Sequence, residues 1–442
     1  MNRLRKYSLI GFLLIAAMVF AACAGAPAPA GDAPAADTGS DAAPAADADG
    51  EKVLTILYWQ AASLPGPYLS GGTKDADAGA ITLEPLANIT PDGQLVPALA
   101  VEIPTIENGG VAEDLLSITW KLQEGVMWSD GTPFSADDVV FTWEYCTDEA
   151  TGCAQIDAFE GVVNVEAVDA NTVTITFDAP SPYPYTAFVN NYAGPIIQKA
   201  QFQDCVGAAA QSCSEQNLAP HGTGPYMLED FKVNDVATYV RNPHWRGEPA
   251  YFDRVVFKGG GDAASAARAV LETGEADYAW NLQVEPQILA EMEAAGNGVI
   301  EVNLAGNVER ILVNQTNVDP DLGDMRGEYD DGNNPHPFLT FKPIPQAMSM
   351  AIDRSLIAEQ LYGFAGAPTC NIIPGPAHYV STANDDCLVQ DIEGAKALLD
   401  ENGVVDTDGD GIREYNGIPL RVLYQTSTNS VRQKTQALIK QW

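Results

Sequence analysis

Positive charge is scarce in this 442-residue chain: 23 Lys and Arg stand against 60 Asp and Glu, a formal net charge of −37. Phosphate contacts need clustered Lys and Arg, so nucleic acid is excluded as a partner. Attachment to anionic lipid through a basic surface is excluded for the same reason. A cationic ligand suits such a surface, although acidity also serves plain solubility. Catalytic signatures are missing too. There is no G-x-S-x-G, no H-E-x-x-H and no P-loop, and no C-x-x-C that would suggest zinc or redox chemistry. His221, His244, His336 and His378 are scattered without metal-ligand spacing. Beyond the amino terminus no apolar run is long enough to span a bilayer. The expectation is a chain that binds rather than catalyses and requires no cofactor.

The amino terminus reads as an export signal occupying residues 1–23. Arg3, Arg5 and Lys6 precede an almost wholly apolar run from Leu9 to Phe20, short for a membrane span but right for a signal-peptide core. It ends in Phe20-Ala21-Ala22-Cys23, which resembles a bacterial lipobox with Phe where Leu is usual, so Cys23 is the expected lipidation site. The alternative is an ordinary signal peptide cut at an A-x-A-like site. Residues 24–51, rich in Ala, Pro and Asp, hold almost no large apolar side chain. They cannot offset their conformational entropy by burial and read as a disordered tether.

Of the seven Cys, Cys23 is set aside and the others fall into near-neighbour pairs: Cys146–Cys153, Cys205–Cys213 and Cys370–Cys387. Six thiols allow many connectivities. Local pairing closes short loops, and each such bridge contributes roughly 2–3 kcal/mol in the chain-entropy description. The alternative is buried free thiols. Three local bridges imply an oxidising, extracytoplasmic setting.

About 390 residues follow the tether, too many for one core. Val53–Trp59 reads as a strand, and Pro65 to Gly79 as a solvent-facing loop. Thr119-Trp120-Lys121-Leu122 alternates as a half-buried strand does, Ser129-Asp130-Gly131-Thr132-Pro133 is a turn cluster, and Ser135 with Asp138 forms a capping box for a helix. Val162–Val168 and Thr172–Phe177 predict a hairpin. Asp262 caps a helix that stops at Gly274, and Asp391 caps another that stops at Gly403. A long helix is predicted over Ile344–Gly363, a strand over Ile418–Tyr424 and a last helix from about Ser430.

As a string, Thr119–Cys146 (TWKLQEGVMWSDGTPFSADDVVFTWEYC) closely resembles the signature of the family 5 solute-binding proteins, the peptide, dipeptide and nickel receptors of bacterial ABC importers. Glu84-Pro85-Leu86, Gly222-Thr223-Gly224-Pro225-Tyr226, Arg241-Asn242-Pro243, Asp253 to Phe257 and Glu275 to Asn281 resemble further motifs of that family. Arg310–Asn314 resembles the strand that crosses between lobes. Ile344–Gly363 resembles a family helix, but Pro345 stands where Arg is usual.

The resemblance implies an α/β, two-lobed periplasmic-binding-protein-like fold of type II, in the large class with an extra subdomain. Residues 52–84 and 215–308 would form the core of lobe one, 85–214 its accessory subdomain, and 309–442 an incomplete lobe two. Family members usually continue past the position of Trp442, so a carboxy-terminal truncation is expected. The implied role is capture of a small solute, a peptide first of all, by hinge closure and delivery to an ABC permease. The implied molecule is a monomer held to the membrane through Cys23. Nickel and oligosaccharide receptors share the scaffold. A secreted α/β hydrolase is the alternative of a different class.

Candidate ligand contacts are Tyr58, Trp59 and Gln60 at the end of the first strand, Trp280 and Asn281 after another strand of the same lobe, and Asn314 at the hinge. The resemblance puts those loops in the cleft; the competing reading makes the aromatics core residues. The acidic residue with which oligopeptide receptors clasp a free amino group lies past Trp442.

Asp406, Asp408 and Asp410, with Gly411, the Ile412 carbonyl and Glu414, follow the order of an EF-hand calcium loop. Gly417 stands where the bidentate acid belongs. A structural Ca2+ is one reading, and an Asx-rich turn between helix and strand the other.

Overall fold

The computed structural model describes residues 50–442, except residues 67, 260, 281, 303, 305–307, 328–331 and 376–379. Among the described residues no helix is long and apolar enough to cross a membrane. The export signal, Cys23 and most of the tether lie outside the described residues, as do Asn281 and His378.

A five-stranded sheet organises the first core. Its spatial order is Tyr278–Trp280, Val53–Tyr58, Arg254–Gly259, Val236–Arg241, Tyr226–Lys232. The first three strands are parallel and the last two are joined antiparallel. Val255, Val256 and Phe257 are all buried, as a strand covered on both faces requires. Tyr58, Val255, Phe257, Ala237 and Tyr239 form one apolar cluster with Ala62 and Ala78.

Ala78 belongs to a helix, Thr73–Ala80, in the stretch that reads as a solvent-facing loop in the sequence. The expectation fails because small side chains let this helix approach closely: a Cβ on Gly79 would lie 3.1 Å from Gly66 Cα. Asp75, fully buried, then ties the loop down. It accepts from Ser63 N (2.6 Å), Leu64 N (3.2 Å) and Ser70 Oγ (2.5 Å), and pairs with Lys74 Nζ at 2.8 Å. A buried carboxylate with this many donors is a fastener, not a surface charge.

A second, larger core gathers residues from Tyr68 to Ala210 around a three-stranded antiparallel sheet, Ser117–Lys121, Thr172–Phe177 and Val162–Asp169. Trp120, Trp128, Tyr145 and Phe188 are its large buried side chains. The helix Ala136–Thr147 packs there, and its cap is the expected one: Ser135 Oγ accepts from Asp137 N at 3.3 Å and Asp138 Oδ2 from Ser135 N at 3.0 Å. Cys146–Cys153 and Cys205–Cys213 are bridged, with Cα atoms 5.1 and 5.8 Å apart.

Arg246 fastens this unit to the main sheet. Its guanidinium makes a two-pronged ion pair with Glu84 (2.7 and 2.9 Å) and donates to Gln123 Oε1 (3.0 Å) and Ala98 O (3.1 Å).

Phe338, Leu339, Ile344 and Val404 make a small core, with Phe341 stacked on Tyr415 at 4.4 Å. Cys370–Cys387 is bridged at a Cα separation of 6.0 Å. Helices occupy Ile392–Glu401 and Ser430–Gln441, as the sequence indicates.

Three expectations are corrected here. The helix read over Ile344–Gly363 is broken after Met350 and restarts at Arg354, because Asp353 caps a new turn by accepting from Leu356 N at 2.8 Å. Only Ile418–Pro419 of the predicted 418–424 strand pairs, with Glu414–Tyr415. Arg310–Asn314 forms no strand. Leu312 and Leu423 in those two stretches are exposed, and neither stretch finds a neighbouring strand among the described residues to pair with.

Candidate functional site

Three parallel strands end side by side, at Tyr58, Gly259 and Trp280. The register sets Tyr58 opposite Trp280 on one flank and opposite Gly259 on the other. In open α/β sheets, the crevice outside the carboxyl ends of parallel strands is where ligands bind. The chain leaves Tyr58 through Trp59 and Gln60 and crosses directly over Gly259: a Cβ there would sit 2.0 Å from Ala61 Cα. Only glycine permits that crossing. Ala62 O then accepts from Asn234 N at 2.9 Å, and Asp75 holds Ser63 and Leu64. The loop is thus anchored through its backbone.

Tyr58 is buried, at 6 % exposure, and its ring lies 4.5 Å from Phe257 and 5.0 Å from Trp280, almost parallel to the latter. The core reading of this residue is therefore the one its surroundings favour. Its polar end is different: the hydroxyl donates to Asp77 Oδ2 at 2.6 Å. Burial raises the Tyr58 hydroxyl well above the usual range, and the Asp77 carboxylate adds to the shift. Asp77, half-buried on the helix Thr73–Ala80, is itself raised by desolvation, which the Tyr58 hydrogen bond offsets only in part. Tyr278 stands on the same edge, half exposed at 49 %. Its hydroxyl is raised by burial and then by the Asp77 charge.

Trp59 (37 % exposed) and Gln60 present themselves to solvent at the strand end, and Trp280 is intermediate. The structure thus brings Tyr58 and Trp280 together. Asn281 lies outside the described residues. Asn314 is exposed, and its side chain is folded back on Thr316, accepting from Thr316 N (3.1 Å) and Oγ1 (2.8 Å). Asp77 and Tyr278 were not singled out in the sequence. The sequence carried no signal for Asp77: the helix buries Asp75, Ala76, Ala78 and Gly79 and turns Asp77 to the opposite face.

The acidic loop is compact. Carboxylate oxygens of Asp406, Asp408, Asp410 and Glu414 all lie within 4.8 Å of one another. Asp406 accepts from Gly409 N (2.7 Å) and Gly411 N (2.9 Å), bonds that hold its carboxyl below the usual range. Asp410 Oδ1 accepts from Ile412 N at 2.8 Å, and Glu414 Oε2 accepts from Thr407 N and Oγ1 at 2.7 and 2.8 Å. Hard cations take several oxygens from one side of a turn, and this donor set suits one. The same bonds also make a self-sufficient Asx-rich turn.

At the opposite edge of the main sheet, the strand Tyr226–Lys232 borders an open groove of about 500 Å³ lined by Leu218, Leu228, Phe231, Glu215, Glu229 and Asp230.

The sequence model of the bacterial extracellular solute-binding proteins, family 5 Middle, matches residues 94–442. Protein XP55 of Streptomyces lividans is 27 % identical over 392 residues, covering 83 % of this chain and 65 % of that protein. The nickel-binding periplasmic protein of Escherichia coli K12 is 24 % identical over 359 residues, covering 78 % of this chain and 60 % of that one. The chain therefore spans less than two thirds of the length of these relatives. Among solved structures, the oligopeptide-binding protein AppA of Bacillus subtilis, in complex with a nonapeptide, superposes with a TM-score of 0.65 at 19 % identity, over 88 % of this chain and 72 % of that one.

Proposed function

Because this chain belongs to the bacterial extracellular solute-binding proteins of family 5 and has their two-lobed α/β fold, we propose that it is the substrate-capturing receptor of an ABC importer. In this reading it closes its lobes around a small solute, a peptide, and hands it to a membrane permease, acting as a binder without turnover. The observation that carries the reading is the common edge of three parallel strands, where Trp59 is exposed and Trp280, half-buried, stacks on the buried Tyr58. Aromatic walls supply bulk contact for a ligand whose backbone is read by polar groups. The signal segment, the lipid on Cys23, the monomeric state and the extracytoplasmic location belong to the same proposal. Three local disulfides support the oxidising compartment.

Thermal denaturation of the protein with trialanine-type peptides, a nickel–histidine chelate and maltotriose tests it. A ligand at a hundred times its Kd adds about 2.7 kcal/mol to stability, so a bound peptide raises Tm by a few degrees with no peptide cleavage. A shift with the chelate or sugar and none with peptide overturns the peptide assignment, and cleavage overturns the receptor role. For the anchor, Cys23→Ala releases the protein into the medium if Cys23 carries lipid.

We propose also that the 406–414 loop holds a structural Ca2+, resting on its four convergent carboxylates. Calorimetric titration with Ca2+ would show a binding heat in the wild type that Asp408→Ala loses; no heat in the wild type refutes it.

A further inference from the structure

The last helix, Ser430–Gln441, reaches back along the chain to the start of a much earlier one, Pro286–Glu293. Glu285, immediately before the earlier helix, accepts from Lys434 Nζ and from Ser430 Oγ at 3.3 Å. Asn429 caps the last helix by accepting from Arg432 N at 3.0 Å, and its Nδ2 lies 3.5 Å from Gln283 O. A second contact stands beside these. Gly363 has a φ of +53°, and a Cβ on it would lie 2.8 Å from both Cβ and Cγ of Pro286. The short run 283–286 is therefore met from two directions, by the turn at Gly363 and by the first turn of the last helix.

The parts so joined have separate cores. The helix Pro286–Glu293 buries Leu289 and Met292 against Ala267, Leu271 and Val284. The part of the chain that carries Gly363 and the last helix has its own core, around Phe338, Leu339, Ile344 and Val404. The run 283–286 also follows closely on Trp280, at the strand-end site. A motion that opens that edge by carrying the later part of the chain away must part Glu285 from Lys434.

The exposure of the pair decides what it can do. The Glu285 side chain is 22 % exposed and that of Lys434 53 %. An ion pair this open shifts an equilibrium by about fivefold at most, and salt screens it. A fully buried pair would strongly resist parting, because each charge would be stranded in turn. This one can be made and broken in every cycle of closure. The Lys434 hydrogen bond holds the Glu285 carboxyl below the usual range, so both partners are charged at neutral pH.

We propose that Glu285, Lys434 and Ser430, with Pro286 seated against Gly363, form a latch between the lobes that favours the closed receptor. This rests on the receptor reading above, in which the lobes part and close.

Small-angle X-ray scattering of the full chain tests the latch without any ligand. Glu285→Lys and Lys434→Glu each set like charges across the seam, and each should raise the radius of gyration above the wild-type value. The double exchange, Glu285→Lys with Lys434→Glu, restores the attraction and should return the wild-type value. Between about 0.1 and 1 M NaCl the Debye length falls from about 10 to 3 Å, so the wild type should expand and its difference from the single variants should shrink. Calorimetric titration with trialanine gives the second readout: the single variants bind about fivefold more weakly, and the double exchange binds as wild type. Single variants with the wild-type radius overturn the latch, as does an expansion that the double exchange fails to reverse. Unchanged trialanine affinity in the single variants overturns its assignment to the closed state. A wild type that does not bind trialanine counts against the peptide reading alone, since the scattering series still decides the latch. Far-UV circular dichroism verifies that each variant is folded.

Discussion

Replacing Glu84 with Gln should cost the protein roughly 2–3 kcal/mol, through a mechanism visible in the contacts of Arg246. The two side chains are only 14 % and 19 % exposed, and the pairing is two-pronged, at 2.7 and 2.9 Å. Glu84 also accepts from Thr223 Oγ1 at 2.9 Å, and Arg246 donates to Gln123 and to the Ala98 carbonyl. Gln fills the same space and still accepts hydrogen bonds, but leaves the guanidinium facing neutral acceptors only. Stranding one charge of a fully buried pair costs about 3–5 kcal/mol; the residual exposure here places the effect lower. Arg246→Met should do similar harm for a different reason, by leaving the Glu84 carboxylate without its counter-charge and Gln123 Oε1 without the Arg246 donor. The double variant should be more stable than the sum of the two predicts, with a coupling of about 1.5 kcal/mol or more. Urea titrations of the four proteins, followed by tryptophan fluorescence, give these numbers from the shift in midpoint at constant slope. Additive singles, or a Glu84→Gln loss below about 0.5 kcal/mol, would show that the clasp is a surface ion pair in energetic terms, and the account of how the second core is held would be wrong.

Other perturbations follow from the same contacts. A carboxyl raised in the folded state contributes stability below its unfolded value, near 4, which is lost as pH rises through the folded value. Asp77→Asn should therefore be more stable than wild type at pH 7 and flatter in Tm between about pH 4 and 7; an unchanged profile refutes the desolvation of Asp77. Asp406 carries the opposite sign: held low by backbone N–H groups, it stabilises above about pH 4 and loses that contribution as acid is added, so Asp406→Asn should narrow the acid-induced loss of stability. Replacing Cys370 and Cys387 together by Ser should cost about 3 kcal/mol, since the bridge closes a sequence separation of 17. Gly259→Ala should destabilise by more than about 2 kcal/mol, because its methyl meets the Ala61 backbone. A wild-type Tm in that variant would mean the loop yields easily.

Features with local causes were legible in the residues. The Ser135–Asp138 cap, the hairpin at 162–177 and the helix stop at Gly403 each depend on neighbours within a few positions, and each is where the chain suggests. Features that need a distant partner were not. Residues 420–424 are rich in strand-favouring side chains, yet have no ladder to join among the described residues. The helix Thr73–Ala80 is nearly without large side chains and is fixed instead by Asp75 and by close approach to residues around Gly66. Asp353 offered a local sign of the helix break, a capping residue inside an apolar periodicity, which the longer pattern masked. At the site, Tyr58 and Trp280 were each recognisable, but their stacking depends on parallel pairing across most of the first core. Asp77 becomes meaningful only when that sheet brings its hydroxyl partner to it.

The crossing of Ala61 over Gly259 has a consequence for how such a site can change over generations. The turn carrying Trp59 and Gln60 is positioned by main-chain contacts, so what those two residues are has little bearing on where they stand. Substitutions there can be sampled one at a time with small cost in foldedness, much as antigen-contacting positions vary on a constant framework. A lineage, or an engineer, wanting a new cargo has two interchangeable positions mounted on a support that does not itself need redesign.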